Sequence, residues 1–127
     1  MPAKKAYTRK REEVKPYIFD TPDHRQIRIM LSPERDNTMP GMAIGMVEMP
    51  GGFEAPPHQH ESTQEAWYFI EGKGQIRIGD EVIDVEPGMV VASPPKTPHA
   101  LINPGPGMLR AIFIFTPDGP EKFQIME

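Results

Sequence analysis

Apolar and polar residues alternate along short runs of this chain, and proline and glycine separate one run from the next. Alternation with a period of two marks a strand with one face buried. The segment Arg25–Leu31 reads this way, with Ile27, Ile29 and Leu31 on one face and Gln26, Arg28 and Met30 on the other. Met108–Phe115 repeats the pattern, setting Leu109, Ala111, Phe113 and Phe115 against Arg110, Ile112 and Ile114. Ala66–Ile70 follows Glu65, whose parity is shared by Trp67 and Phe69; these should point inward, with Tyr68 and Ile70 facing out or toward a partner sheet. Gly41–Met49 is mostly apolar, and its Met42, Met46 and Met49 suit core filling, the alternative being a pliable pocket wall. Shorter runs at Tyr17–Phe19, Gln75–Ile78, Glu81–Val85, Met89–Ala92 and Ala100–Asn103 complete roughly eight to ten strands. Between them Glu71-Gly72-Lys73-Gly74 reads as a hairpin turn and Ser32–Pro40 as a loop, and Phe123 and Ile125 near the end are placed to dock on the body of the fold. No strand–helix alternation is present, so the expected class is all-β, as a closed barrel or double-sheet jelly roll that leaves few open edges.

Composition narrows this picture. A chain of 127 residues is one domain with a single core. Its 16 prolines and 11 glycines are spread out, which suits short strands and tight turns and opposes long helices. Without cysteine there is no disulfide framework and no thiolate metal site, as befits a reducing compartment. A formal net charge of −4 gives no general reason to expect nucleic acid as a partner. No apolar run nears the ~18 residues of a membrane span, and no signal-type apolar segment follows the N-terminus. The expectation is therefore a soluble cytoplasmic protein. Lys4, Lys5, Arg9, Lys10 and Arg11 cluster in residues 1–15, but Glu12 and Glu13 dilute them, so this segment reads as a solvated, flexible arm ahead of a domain over residues 16–127.

The chemistry concentrates between Gly51 and Gly72. His58 and His60 are two apart, so an extended backbone points both imidazoles the same way. A short polar segment then turns the chain and brings the Glu65 carboxylate beside them. Two nitrogen donors and one oxygen donor converging on one side suit a first-row metal ion. His99, delivered by the proline-stiffened loop Ser93–Pro98, is the fourth candidate. Zn, Mn, Fe, Co, Ni and Cu all suit such a set, while Ca and Mg prefer oxygen. His24, in a Thr-Pro-Asp-His turn, lacks ligand spacing and reads as a surface residue. Tyr68, Arg28, Gln75 and Arg77 are candidate acid, base or anchoring groups, each otherwise a solvated strand position.

The spacings resemble two motifs of the cupin superfamily. The first runs Gly52, five residues, His58, one residue, His60, four residues, Glu65, six residues, Gly72; the second runs Gly88, five residues, Pro94, then His99, three residues, Asn103. Lys96 stands where the family usually has glycine, and either rims a pocket mouth or points into water. The resemblance covers Gly52–Asn103. It implies a small jelly-roll (double-stranded β-helix) barrel in which His58, His60, Glu65 and His99 bind one divalent transition metal. It further implies a small-molecule enzyme (an isomerase, lyase, decarboxylase or dioxygenase acting on a polar, possibly anionic substrate) or, alternatively, a non-catalytic small-molecule or sugar binding or sensor module. Single-domain relatives often exchange N-terminal strands. With the clean alternation of Arg25–Leu31, whose edge wants a partner, this leads to the expectation of a homodimer joined through Tyr17–Leu31.

Overall fold

The alternating runs become ten strands in a computed structural model that describes residues 5–126: β1 (Tyr17–Ile18), β2 (Gln26–Leu31), β3 (Ala43–Met49), β4 (Phe53–Glu54), β5 (Gln64–Glu71), β6 (Gly74–Ile78), β7 (Glu81–Val85), β8 (Val90–Ser93), β9 (His99–Asn103) and β10 (Leu109–Thr116). Two antiparallel sheets result, ordered β1-β2-β3-β10-β5-β8 and β4-β9-β6-β7. Side chains of both sheets meet in one core, among them Ile27, Ile29, Val47, Trp67, Phe69, Ile76, Leu101, Phe113 and Phe115. This is the jelly roll expected from the alternation. Among the described residues no helix is long and apolar enough to cross a membrane.

Four local expectations change once the strands are paired. In β2 the register passes from Ile29↔Gly45 to Leu31↔Ile44, so Met30 is a bulge. One extra residue reverses the parity beyond it; Ser32 is buried and Leu31 is only half-buried, no longer in phase with Ile27 and Ile29. Of the β3-region methionines only Met49 is a core residue; Met42 and Met46 sit half-buried on the other parity. The Gly72–Lys73 connection is not a hairpin, because β5 pairs with β10 and β8 while β6 pairs with β7 and β9. It is a corner between sheets, and Gly72 is required there: its φ is +82° and a Cβ would lie 2.2 Å from the Met108 carbonyl oxygen. At the C-terminal end Ile125 packs on the core, but Phe123 is 78% exposed, because the short 3-10 turn Pro120–Phe123 is anchored instead by its buried Glu121. Ser32 Oγ donates to that carboxylate at 2.5 Å.

The expected solvated arm over residues 1–15 is also revised. Lys4 and the residues before it lie outside the described residues. From Tyr7 onward the segment lies against the barrel, since its basic residues meet carboxylates distant in sequence. Tyr7 and Arg9 donate to Asp36, each at 2.9 Å, Arg11 donates to Glu48 at 2.8 Å, and Val14 is buried.

Two backbone features bear on the site described next, one in the interior and one in the loop before β9. Gly45 of β3 is the direct partner of Phe113 on β10. A Cβ at Gly45 would fall 2.3 Å from Phe113 Cζ, so the ring rests on bare backbone. Lys96, the residue in the usual glycine position, adopts the left-handed backbone with φ 61°.

Candidate metal centre

Backbone pairing brings the two motifs together before any side chain is considered. Beyond β4 the chain stays against β9: the Ala55 amide donates to the Leu101 carbonyl at 2.9 Å, and His58 and His99 exchange amide hydrogen bonds of 3.0 and 2.8 Å. His60 is fixed by the loop before β9, since the Lys96 amide donates to its carbonyl at 2.7 Å. The left-handed turn at Lys96 thus aims the amide at His60, a backbone function that any residue tolerating that φ fulfils. Glu65 enters from the other sheet, paired to Ser93 on β8 and to Phe115 on β10.

The four side chains converge. One donor atom from each of His58, His60, Glu65 and His99 lies within 4.8 Å of the other three. His99 Nε2 is 3.0 Å from His58 Nε2 and 3.1 Å from Glu65 Oε1, and His60 Nε2 is 3.2 Å from the same carboxylate oxygen. Glu65 and His99 are buried, whereas His58 keeps an exposed edge while its Nε2 turns inward. Burial pushes the His58 imidazole down to about 4, with help from His99, His60 and Arg25 and against the pull of Glu65. Burial alone would raise Glu65, but the hydrogen bonds from His60 and His99 outweigh it and hold the carboxyl below its usual range. At neutral pH the cluster therefore offers a neutral His58 and an ionised Glu65.

Within the protein these groups satisfy one another only in part, through the contacts of Glu65 with His60 and His99. Two imidazole nitrogens facing at 3.0 Å share one proton at most, and His99 Nδ1 is buried without a partner. A cation accepts all four donors at once, so the residues present fit a metal. Trp67 and Phe115 brace the rings, Trp67 at 4.9 Å from His99 and Phe115 at 5.2 Å from His60.

The donors open on a cavity of about 380 Å³ inside the barrel. Its wall is largely apolar, from Phe19, Ile27, Val47, Trp67, Leu101, Phe113 and Phe115. Besides the cluster, the polar side chains lining it among the described residues are Thr21, Arg25 and Gln124, with the Trp67 indole. Arg25 is 5% exposed. Its Nε is 2.5 Å from a carboxylate oxygen of buried Asp23, an ion pair whose angle is not that of a hydrogen bond, and its guanidinium carbon lies 4.0 Å from the centre of the Phe19 ring.

None of the other candidate groups lines this cavity. Arg28 is bonded to Glu48, Gln75 to Asp84 at 3.0 Å and Arg77 to Glu54 at 3.4 Å, while Tyr68 is exposed on the far face of β5. The Lys96 side chain is exposed, and His24 lies exposed against Phe53. The methionines of the β3 region line no part of the cavity, so the pliable-wall alternative does not hold. Arg25 and Gln124 went unread in the sequence. Arg25 carried a signal, because it is in phase with Ile27 and Ile29 and so belongs to the inward face of its run. Gln124 carried none.

A family model for the cupin domain matches residues 45–115. An uncharacterised protein of Methanocaldococcus jannaschii is 32% identical over 119 residues, 91% of each chain. Among solved structures, KdgF from Halomonas sp. superposes with a TM-score of 0.75 at 20% identity, over 92% of this chain and 98% of that one. A protein described as a predicted oxalate decarboxylase of Thermotoga maritima superposes with a TM-score of 0.75 at 18% identity, over 86% of this chain and 97% of that one.

Proposed function

Since this chain belongs to the cupin family, we propose that His58, His60, Glu65 and His99 hold one divalent transition metal, and that a small molecule binds in the adjoining cavity and is processed there. The observation that carries this reading is the mutual geometry of the four donors. Adjacent ligands of a six-coordinate ion with bonds near 2.1 Å stand about 3.0 Å apart, against about 3.4 Å in a tetrahedron. The contacts His58–His99, His99–Glu65 and Glu65–His60, at 3.0, 3.1 and 3.2 Å, fall between these two spacings, close enough for one ion to meet all four groups. The donor set suits Zn, Mn, Fe, Co, Ni or Cu, with positions left open beside the cavity. A metal bound there would supply Lewis-acid polarisation or a lowered pKa of bound water, and redox chemistry if it were iron. The chain's own residues do the rest: Glu65 offsets one unit of the ion's charge, and the aromatic wall excludes water.

Among its solved neighbours, the predicted oxalate decarboxylase keeps decarboxylase chemistry in view only through shared fold. One observation favours a second reading, ligand holding without turnover: apart from the cluster and the Trp67 indole, the described wall offers only Thr21, Arg25 and Gln124 as polar side chains. The first experiment is elemental analysis of protein purified anaerobically. About one equivalent of transition metal in the wild type, lost in His60→Ala, is the expected result; equal metal in both proteins overturns the assignment.

Assembly as a homodimer is part of the same proposal. The edge strand β1 carries Ile18 at 54% exposure, and Tyr68 and Val90 on β5 and β8 are 48% and 68% exposed. Light scattering on the full chain is expected to give twice the chain mass, and a monomer at high concentration refutes it.

A further inference from the structure

We propose that Arg25 anchors the ligand of this cavity, and that the ligand is a small monocarboxylate with an apolar body, its carboxylate held between the Arg25 guanidinium and the His58–His60–Glu65–His99 cluster. The inference rests on the metal reading of that cluster and goes on to name what binds beside it.

The first support is how Arg25 is kept. A guanidinium buried to 5% exposure is costly to retain unless it is paired. Here the pairing is incomplete. Asp23 stands at Nε, but Nε makes no hydrogen bond, and Phe19 covers the group 4.0 Å away. The ion pair and the ring fix its plane and position without using up its donors. A planar fork of five N–H donors fixed in a cavity wall is suited to a carboxylate, which it engages through two parallel bonds.

The second support is charge. Arg25 and Asp23 cancel. A divalent ion less the charge of Glu65 leaves one positive unit at the end of the cavity, and one carboxylate neutralises it. A dianion would leave one negative charge uncompensated against a largely apolar wall.

The third support is the remainder of the wall. Phe19, Ile27, Val47, Leu101, Phe113 and Phe115 present hydrocarbon, and Thr21 and Gln124 are the chief polar side chains left for further groups on the ligand. A polyhydroxylated acid would bury hydroxyls without partners, at a penalty for each. A compact aromatic or aliphatic acid would not. The cavity of about 380 Å³ sits near the lower end of ligand sites, which run from about 300 to 1,000 Å³.

The test uses the full chain loaded with Co(II), with benzoate, benzamide and gluconate as probes. Binding is followed by cobalt visible absorption and by fluorescence of Trp67, the chain's single tryptophan, which lines the cavity. Benzoate is expected to bind at least tenfold tighter than either benzamide or gluconate. Arg25→Gln is expected to weaken benzoate at least tenfold while cobalt content and benzamide affinity hold, and Arg25→Lys should fall between. Because Arg25→Gln leaves Asp23 buried without its partner, the Asp23→Asn/Arg25→Gln pair is measured alongside; it should show the same loss of benzoate in a chain with no orphaned charge. Equal affinity for benzoate and benzamide, or undiminished benzoate binding in the double variant, overturns the inference while leaving the metal reading intact. Gluconate binding as tightly as benzoate overturns the apolar-body part. A wild type that takes up no cobalt overturns the metal reading itself, and the inference with it, before any probe is added.

Discussion

Two buried carboxylates, Glu48 and Glu65, lie on strands separated only by β10, and they have opposite surroundings. Glu48, on the outer face of β3, accepts from Arg11 at 2.8 Å, from Arg110 at 2.7 and 3.0 Å, and from Arg28. Glu65, on the inner face of β5, meets His60 at 3.2 Å and His99 at 3.1 Å. In both, burial alone would raise the carboxyl and the bases around it bring it down. The difference lies in the bases. Guanidinium is always charged and only donates, so the ring of arginines saturates the Glu48 carboxylate. Imidazole carries one movable proton and one lone pair, and His58 and His99 face each other through nitrogens that share one proton at most. The first cluster surrounds its carboxylate with fixed positive charge and ties down the N-terminal segment. The second leaves two imidazole nitrogens facing each other and His99 Nδ1 buried without a partner.

This contrast can be broken experimentally, and the largest effect should fall on the histidine side. His99→Ala or His60→Ala is expected to raise the metal dissociation constant by more than about 100-fold, since loss of groups merely supporting a ligand already costs 10–100-fold. Chelator competition measures it, and both variants should stay folded. Glu48→Gln should do the reverse: about 2 kcal/mol less stable, roughly 6–8 °C in Tm, with metal affinity unchanged. That figure is set below the cost of breaking a fully buried pair because Arg11 and Arg110 reach solvent. Metal lost together with stability would erase the distinction.

The next effect is on pH. Glu48 and Asp36 are both held below the ordinary carboxylate range; burial opposes this, but Arg110 and Arg11 outweigh it for Glu48, and Arg35 and Arg9 for Asp36. A depressed native pKa contributes stability that is present in full above the unfolded value, near 4, and is lost as pH falls through the lower native value. The stability gap between wild type and Glu48→Gln should thus be level from pH 7 to about 5 and shrink below about 4. Denaturant titrations across that range measure it, and a gap that widens in acid would contradict the pairing. The smallest effect is expected at Lys96. Replacing a side chain at φ 61° with glycine removes left-handed strain and adds unfolded-state freedom, a net gain of up to about 1 kcal/mol. Metal affinity should stay put in Lys96→Gly, because the amide that holds His60 is retained.

Much of this was legible in the chain. The parity of Trp67 and Phe69 with Glu65, and of Leu109 through Phe115, gave two central strands and their inner faces, and motif spacing named the four donors that the fold brings together. What escaped depended on partners rather than on the run itself. Leu31 left its face because of a bulge against β3, which no alternation announces. Gly72 turned a corner rather than a hairpin because β6 pairs with β9. Arg9 and Arg11 looked solvated because Asp36 and Glu48 lie dozens of positions away. Arg25 was the avoidable miss: a charge in phase with Ile27 and Ile29 has to be explained, and the explanation is a cavity.

The bare backbone at Gly45 has a consequence for how such a protein can diverge. Phe113 forms part of the cavity wall and rests where a Gly45 side chain would stand, with its ring 2.3–2.8 Å from that missing Cβ. The volume offered to a guest is therefore governed from the strand behind the ring, by a residue the guest need never touch. A lineage that exchanges Gly45 for alanine must move the ring and so resizes the chamber. The push passes from Phe113 to Phe115 and on to His60, so the caliper of the chamber also sets how firmly one imidazole is braced.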